Sequence, residues 1–259
     1  MRLFFTKENI HEGSLILVNR NYPLQKESGN VLCAPLETQQ EIRMEETAGK
    51  NLYRLFVNLA DSSQIAGVSG YRTKHEQVQI FEDSLKENGK EFTETYVAFP
   101  DCSEHQTGLA IDLVKKSEEI DFICPDFPRE GVCQQFREQA AEYGFIERYP
   151  KEKEAVTGIG EEPWHFRYVG TPHAQIMREK GMVLEEYTEW LKQFSGEKPF
   201  RWKENRIYYV RGQEETGISI PDNTEYHISG NNVDGFVVTL TGETNEKRAG
   251  KCKTGKCKN

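Results

Sequence analysis

Three short polar segments of the sequence carry residue types that can bind a metal ion and activate water. They are SGYR at 69–72, SEHQTGLAID at 103–112 and EEPWHF at 161–166. A catalytic zinc ion takes three protein ligands, chiefly histidine and carboxylate, and leaves a further position open for water. A separate base must lie within hydrogen-bond reach of that water. Together the three segments contain all of these groups.

The spacing of the metal-binding side chains indicates which of them can converge. His105 and Asp112 are seven positions apart, and a turn at 106–108 that enters a strand at 108–114 would bring them together. His165 would complete a His/Asp/His set. Glu162 stands three positions upstream of it, within reach of the water and not needed as a ligand. Each residue alone is most often an ordinary core or surface side chain, and it is the combination that is specific.

Secondary structure elements must position these segments, and the residue patterns predict both helices and strands. Thr73 and Glu76 form a capping box that begins a helix directly after SGYR, and Asn88-Gly89 ends that helix. Apolar spacing predicts further helices within 37–60, 130–143 and 184–194. Predicted strands alternate with them at 14–19, 65–71, 94–99, 108–114, 144–148 and 163–169. This order favours an α+β fold with a central, mainly antiparallel sheet and flanking helices.

The chain has 259 residues, more than one average domain, and its character changes after Ser195-Gly196. Short β-type runs separated by Gly, Asn, Asp and Pro follow, at 206–210, 217–220, 224–229 and 236–241. We therefore expect a catalytic domain over 1–196, a small all-β appendage over 197–246 and a basic tail over 247–259. Because β units below about 70 residues are poorly stable alone, the appendage is expected to pack on the main body.

Charge and composition exclude several classes of partner. The net charge is −9, and an acidic chain argues against nucleic acid, whose phosphates are bound by clustered Lys and Arg. No apolar run approaches the roughly 20 residues of a membrane span, and charges interrupt any signal-peptide core near the start. Six cysteines are too few for a disulfide scaffold, and four of them, Cys33, Cys102, Cys124 and Cys133, are scattered as is typical of thiols in a reducing compartment. We expect a cytoplasmic protein without a membrane span.

The motifs SGYR, SxHxxGxAxD and ExWHF together resemble the zinc D-alanyl-D-alanine peptidases of the VanX/VanY/VanXY type. The N-terminal signalling domain of hedgehog proteins shares the fold of that family. The resemblance covers roughly residues 14–195, and its strongest part is SEHQTGLAID, where Ser, His, Gly, Ala and Asp stand at the family's positions. It implies Zn²⁺ ligated by His105, Asp112 and His165, with Glu162 as the general base.

The same resemblance implies roles for further residues of the three segments. Arg72 would stabilise the oxyanion of the tetrahedral intermediate, as a second catalytic residue beside the base. Ser103 and Gln77 would contact the substrate. Trp164 would complete the substrate-binding set, packing beside the metal and holding the following histidine in place.

The implied activity is hydrolysis of the D-Ala-D-Ala bond in the free dipeptide, in pentapeptide cell-wall precursors, or in both, as in vancomycin resistance. The membrane-anchored carboxypeptidases of the family carry an N-terminal hydrophobic segment that this sequence does not show. The chain is therefore closest in character to the bifunctional VanXY type. Its partner would be a small peptide, and no feature of the sequence indicates an oligomeric state.

Three other interpretations stay open at this point. The chain could be an L,D-carboxypeptidase or a peptidoglycan endopeptidase of the same fold. It could also be a non-catalytic zinc-binding module, as in hedgehog-like relatives, although such a module has no need of Glu162 beside the metal. The all-β appendage is not part of the family's common core, and it could serve as an interaction or dimerisation module.

Overall fold

The computed structural model describes residues 1–26, 32–33, 42–117, 121 and 124–242. The chain divides into two compact units, which we call the central unit, residues 17–188, and the strand-rich unit, residues 1–16 with 189–259. Within the described part, no helix combines the length and the apolar character that crossing a bilayer requires.

Helices and strands alternate along the first two thirds of the chain, and strands alone follow. The helices are α1 (Glu46–Asn58), α2 (Lys74–Tyr96), α3 (Gly131–Ala140), α4 (Glu154–Thr157), α5 (His173–Lys180) and α6 (Leu184–Leu191). The strands are β1 (Arg2–Thr6), β2 (Leu32–Cys33), β3 (Met44–Glu45), β4 (Ile65–Ser69), β5 (Ala110–Lys115), β6 (Phe145–Tyr149), β7 (Glu162–Tyr168), β8 (Phe200–Trp202), β9 (Asn205–Arg211), β10 (Glu215–Ser219), β11 (Glu225–Gly230) and β12 (Gly235–Thr241).

The central unit is built on a sheet of strand order β4-β5-β7-β6 in which every neighbouring pair is antiparallel. The predicted α+β fold with a mainly antiparallel sheet and flanking helices is therefore confirmed. The register places Ser69 of β4 opposite Asp112 of β5, and Asp112 opposite His165 of β7. Because side chains alternate between the faces of a sheet, this register gathers the three residues in one row on one face.

The opposite face of the same sheet is apolar and packs against helices. Phe166 lies beside His165 in β7 and points to the other side, where its ring centroid is 4.8 Å from that of Phe136 in α3. Phe136 in turn contacts Phe56 of α1 and Phe127. Full burial of each such ring contributes about 1.5–3 kcal/mol, so the aromatic cluster fixes the sheet that holds the polar row.

Helix α2 begins as the sequence predicts, at a capping box. Thr73 Oγ1 accepts a hydrogen bond from the Glu76 amide, and Glu76 Oε2 accepts one from the Thr73 amide at 2.7 Å. Gly89, with φ of 79°, leaves helical geometry as predicted, but the chain then turns back into helix up to Tyr96. The predicted strand at 94–99 is wrong: the chain is helical up to Tyr96, and the tilted rings of Phe92 and Tyr96, four positions apart on one helix face, pack with their centroids 4.9 Å apart.

The predicted strand at 14–19 is also wrong. Its apolar residues are buried, Leu15 at 2% exposure and Val18 at 0%, yet in the described chain they pair with no strand. The Leu15 amide donates instead to the Ser229 side chain, at 2.9 Å. A short run of apolar residues indicates that the segment is buried, but a buried segment need not pair with a β-strand.

The strand-rich unit confirms the predicted all-β C-terminal region and adds the start of the chain to it. Its main sheet has the order β11-β12-β9-β8, and β1 pairs with β10 from Arg2 opposite Ser219 to Thr6 opposite Glu215. Packing therefore divides the chain near residue 189 and places residues 1–16 with the C-terminal strands. That the activity resides in 1–196 stays a prediction, and the basic tail over 247–259 lies outside the described residues.

Candidate metal centre

The structure brings together the three side chains that the sequence predicts as metal ligands. His105 Nε2 lies 3.0 Å from Asp112 Oδ2, and His165 Nδ1 lies 2.9 Å from Asp112 Oδ1. One possible ligand atom from each residue falls within 4.8 Å of the others, and all three side chains are buried. Two imidazoles and one carboxylate at this separation are close enough to share a single ion.

Local backbone geometry explains why these residues meet. Asp112 and His165 are direct cross-strand partners on β5 and β7. His105 reaches them from a 3-10 turn, Glu104–Thr107, that ends at Gly108 with φ of 73°. This left-handed conformation is easily adopted only by glycine, and it lets the chain enter β5 directly after the turn. The predicted turn and strand around 106–114 are thereby confirmed.

A backbone carbonyl sets the orientation of His105. Its Nδ1–H donates to the Gly70 carbonyl oxygen at 2.7 Å, so Nε2 presents its lone pair to the other ligands. Gly70 has no room for a side chain, because a Cβ there would lie 2.4 Å from the Arg43 carbonyl oxygen. The glycine of SGYR thus allows the close backbone approach that orients the first ligand.

The charges of the site favour a cation between these ligands. Burial and the nearby Arg72 lower the pKa of His105 to about 4, so its imidazole is neutral at pH 7. Burial alone would raise the pKa of Asp112, but His105 and His165 outweigh it and hold that pKa far below its usual range. Neutral imidazole and ionised carboxylate are the forms that bind zinc and similar transition metals.

In the metal-free protein the His165 ring is protonated on both nitrogens and positively charged at pH 7. Burial opposes its charge, but the hydrogen bond to Asp112 and the facing carboxylate of Glu104 outweigh burial and raise its pKa to about 9. A cation bound at Nδ1 takes the place of the proton on that nitrogen, and binding therefore releases it. The residues present thus fit a divalent metal ion by ligand type, separation and charge.

Glu162 lies beside the three ligands as the sequence predicts. It is buried, and its Oε2 is 3.7 Å from His165 Nδ1. Burial raises its pKa to about 8. A register shift between Glu147 and Tyr149 in the pairing of β6 with β7 lies next to it. A carboxyl group that can gain or lose a proton near neutral pH suits a general base.

Arg72 is held by three side chains at the edge of the same group. Its Nε donates to Ser69 Oγ at 2.8 Å, its Nη1 to Gln77 Oε1 at 3.3 Å and its Nη2 to Asp112 Oδ2 at 3.0 Å. One fifth of the side chain is exposed. The guanidinium is therefore fixed in direction and still faces the cavity beside the metal centre.

A cavity of about 480 Å³ opens over these residues. Ser103 and Trp164, both predicted to serve the substrate, line it. Gln77 does not, because it is fully buried behind Arg72, where its amide also donates to the Ala98 carbonyl oxygen at 2.8 Å. A role for Gln77 in contacting substrate stays a prediction, and its observed contacts orient the arginine.

The cavity extends from the metal centre along one face of α2. Its lining there includes Ile80, Asp83, Ser84 and Glu87. Successive residues of a helix rise 1.5 Å, so this face continues the cavity for about 10 Å. The cavity is therefore longer than the metal centre itself.

Four residues around the centre lie near the predicted ligands, although no motif marks them as functional. Tyr149 lines the cavity, and its ring lies 5.0 Å from that of His165. Glu104, Arg148 and Arg167 form a buried charged cluster under the same imidazole. The only signal for Glu104 is its place inside SEHQTGLAID. Arg148 ends one predicted strand and Arg167 lies within another, and neither belongs to a motif.

The chain is similar in sequence to characterised peptidases. Residues 41–171 match the family model VanY, D-alanyl-D-alanine carboxypeptidase. The chain is 44% identical over 183 residues to the bifunctional D-Ala-D-Ala dipeptidase and D-Ala-D-Ala carboxypeptidase VanXYC of Enterococcus gallinarum, covering 70% of this chain and 96% of that protein.

Solved structures show the same similarity. The vancomycin resistance D,D-dipeptidase VanXYg, in complex with a D-Ala-D-Ala phosphinate analogue, matches with a TM-score of 0.91 and 46% identity over 93% of this chain and 98% of that one. A mutant of the D,D-pentapeptidase VanY from a VanB-type resistance cassette, in complex with Zn(II), matches with a TM-score of 0.55 and 32% identity over 68% of this chain and 98% of that one.

Proposed function

The chain belongs to the VanY family of D-alanyl-D-alanine carboxypeptidases, and we propose that it hydrolyses the D-Ala-D-Ala bond in a zinc-dependent reaction. Its substrates would be the free dipeptide and peptidoglycan pentapeptide precursors, as in vancomycin resistance. The observation that carries the proposal is the convergence of His105, Asp112 and His165, with Glu162 buried beside them. Similarity to a relative named for both activities supports both substrates.

His105, Asp112 and His165 would hold the zinc ion, through Nε2, a carboxylate oxygen and Nδ1 respectively. When bound, zinc supplies Lewis-acid activation of water and of the scissile carbonyl group. The similar VanY structure that contains Zn(II) supports the identity of the metal. The protein's part is to keep one imidazole neutral and the carboxylate ionised: burial and Arg72 do the first for His105, and the two histidines do the second for Asp112.

Glu162 would take the proton of the attacking water and return it to the leaving amine. A carboxylate in water is a weak base, but in the metal-free protein burial raises the pKa of the Glu162 carboxyl group to about 8, which makes its ionised form a stronger base. The transferred proton is therefore held firmly enough during the attack and is still released to an amine. The 3.7 Å between its Oε2 and His165 Nδ1 places it beside the reaction centre.

Arg72 would stabilise the oxyanion that develops on the scissile carbonyl oxygen. Its contacts with Ser69 and Gln77 hold the guanidinium in place before substrate arrives, so little reorganisation is needed during the reaction. Ser103 and Trp164 line the cavity beside it and would contact the terminal residues of the peptide. Loss of one preorganised oxyanion donor typically costs about 10²–10³ in rate.

The length of the cavity supports a substrate longer than the dipeptide. Beyond the metal centre the cavity follows α2 past Ile80 to Glu87. Extended peptide spans about 3.3 Å per residue, so this extension accommodates about three residues upstream of the scissile bond. The extension would therefore hold the upstream part of a pentapeptide precursor.

A cytoplasmic location also stays part of the proposal. Cys102, Cys124 and Cys133 are free thiols, one buried and two half-buried, which is typical of proteins in reducing compartments. Fractionation of cells that express the chain tests this point, and recovery in the wall or membrane fraction would contradict it.

A side-by-side assay tests the proposed substrates. The zinc-loaded chain is incubated with D-Ala-D-Ala, with a UDP-muramoyl pentapeptide and with the corresponding tetrapeptide, each with and without a chelator. We expect D-alanine from the first two substrates, its loss with chelator and its recovery with added zinc. Hydrolysis of neither would overturn the proposal, and release from the tetrapeptide alone would assign the chain to the L,D-carboxypeptidases.

A further inference from the structure

Glu104 is a buried carboxylate for which the reaction outlined above has no role. Its Oε1 accepts hydrogen bonds from Arg148 Nε at 2.8 Å and from Arg167 Nη1 at 2.9 Å. Its Oε2 points the other way, towards His165 Nε2 at 3.5 Å. These two facing atoms are both buried and are among the few such side-chain atoms in the described residues that lack a close hydrogen-bond partner.

We infer that Glu104 is a positioning residue that holds His165 in the tautomer needed for metal ligation. His165 faces the other ligands with Nδ1, which must present a lone pair to bind a metal. The neutral ring then carries its hydrogen on Nε2, directed at Glu104 Oε2. An ionised carboxylate only accepts hydrogen bonds, so it stabilises this tautomer and no other. A carboxylate behind a ligating histidine also raises the basicity of that ligand.

The two arginines explain why Glu104 can act as a fixed acceptor. Both donate to Oε1, and this leaves Oε2 alone to face His165. Arg148 also makes two hydrogen bonds to Glu185, at 2.9 and 2.7 Å. The positive charges of the two arginines and the negative charges of the two glutamates thus compensate one another, as buried charges must. Because Glu185 lies in the first turn of α6, that helix supports the acceptor indirectly.

Glu104→Gln provides the sharpest variant because it reverses the hydrogen bond without changing the shape of the side chain. The arginines require an acceptor, so the amide oxygen takes the place of Oε1 and the NH₂ group faces His165. That group donates to Nε2, which favours hydrogen on Nδ1 and opposes ligation. We expect zinc affinity, measured by competition with a chromophoric chelator, to fall about 10–100-fold.

Glu185→Gln is the matched control. It removes the same charge from the same arginine cluster, but its side chain contacts Arg148 rather than His165. We expect this variant to keep the zinc affinity of the unchanged chain, even if its thermal stability falls as far as that of Glu104→Gln. Equal zinc affinity in Glu104→Gln and in the unchanged chain would overturn the inference, as would an equal loss in both variants.

A measurement on the unchanged chain keeps the inference testable if the variants fail to fold. Long-range ¹H–¹⁵N correlations of the zinc-loaded protein report which nitrogen of His165 carries hydrogen. We expect hydrogen on Nε2, and hydrogen on Nδ1 would overturn the inference. The inference rests on the proposed ligation by His165. Failure of the unchanged chain to bind zinc would refute that ligation and this inference with it, whereas normal binding with the other tautomer refutes only the role of Glu104.

Discussion

Burial affects neighbouring side chains of the site in opposite ways, and the function depends on that difference. It lowers the pKa of His105 to about 4 and raises that of Glu162 to about 8, so in the metal-free protein at pH 7 both side chains are mostly uncharged. Both effects come from removing water around a charge. Because burial disfavours the ionised form of Glu162, this carboxyl group destabilises the folded protein near neutral pH.

Replacement of Glu162 by Gln should reveal that destabilisation in the metal-free protein. The folded-state pKa of about 8 exceeds the ordinary glutamate value of 4.5, so between those pH values the unfolded chain has lost a proton that the folded chain keeps. The stability of the unchanged chain therefore falls as pH rises through this window. Gln resembles the protonated carboxyl group and does not lose a proton.

Thermal unfolding at pH 5 and pH 8 with a chelator present measures the effect. We expect Glu162→Gln to unfold at a higher temperature than the unchanged chain at pH 8, and the advantage to shrink at pH 5. For a chain of this length, each 1 kcal/mol corresponds to roughly 2–4 °C. An advantage that is absent at pH 8, or larger at pH 5, would show that the Glu162 carboxyl group is not destabilised by burial.

Residue types and spacing were sufficient to predict which ligands converge, but not what lies behind them. His105, Asp112 and His165 could be predicted because metal ligation demands particular side chains close together. Glu104 and Tyr149 could not, because their contacts with His165 depend on burial and on strand register. The functional roles of all these residues stay predictions.

At the scale of elements, the loop between β4 and α2 positions the first ligand, and a glycine there can be tested. In Gly70→Ala the added Cβ would lie 2.4 Å from the Arg43 carbonyl oxygen and 2.7 Å from Ile42 Cγ2. The backbone must shift, and the Gly70 carbonyl that accepts the His105 Nδ1–H shifts with it. We expect lower thermal stability and also weaker zinc binding.

Gly89→Ala is the control for that substitution. Gly89 has φ of 79° and ψ of 173°, a conformation that is essentially restricted to glycine, but nothing lies within 4 Å of an added Cβ, so the only cost is backbone strain of about 1–3 kcal/mol. We expect a lower unfolding temperature with zinc affinity unchanged. If both glycine variants lose stability and neither loses zinc affinity, the Gly70 carbonyl does not orient the metal site.

Local sequence signals predicted where helices begin and break better than they predicted which element follows a break or which strands pair. The capping box at Thr73 and the break at Gly89 are both present in the structure. The strand predicted at 94–99 failed because a stop signal for one helix does not exclude a second helix directly after it. The pairing of β1 with β10 joins residues more than 200 positions apart, and no local pattern reports such a partner.

At the scale of the whole chain, the strand-rich unit joins residues 1–16 to the C-terminal strands, and truncation should show this. A chain that ends at residue 196 keeps β1 but loses β10, and Ile10 loses the buried cluster around Ile218 and Phe236. The unpaired strand and exposed apolar residues favour aggregation. We expect light scattering to show oligomers for residues 1–196 and fewer for residues 17–196. Equal behaviour of the two truncated chains would contradict this division.

The central claim is that the chain is a zinc-dependent D,D-peptidase in which Glu162 is the base. The most direct measurement is the rate of D-alanine release from D-Ala-D-Ala by the zinc-loaded chain and by Glu162→Ala at equal measured zinc content. We predict release by the unchanged chain and a rate lower by at least about 10²–10⁴-fold in the variant, with zinc still bound. A rate near that of the unchanged chain in the zinc-loaded variant, or no release by the zinc-loaded unchanged chain, would contradict the claim.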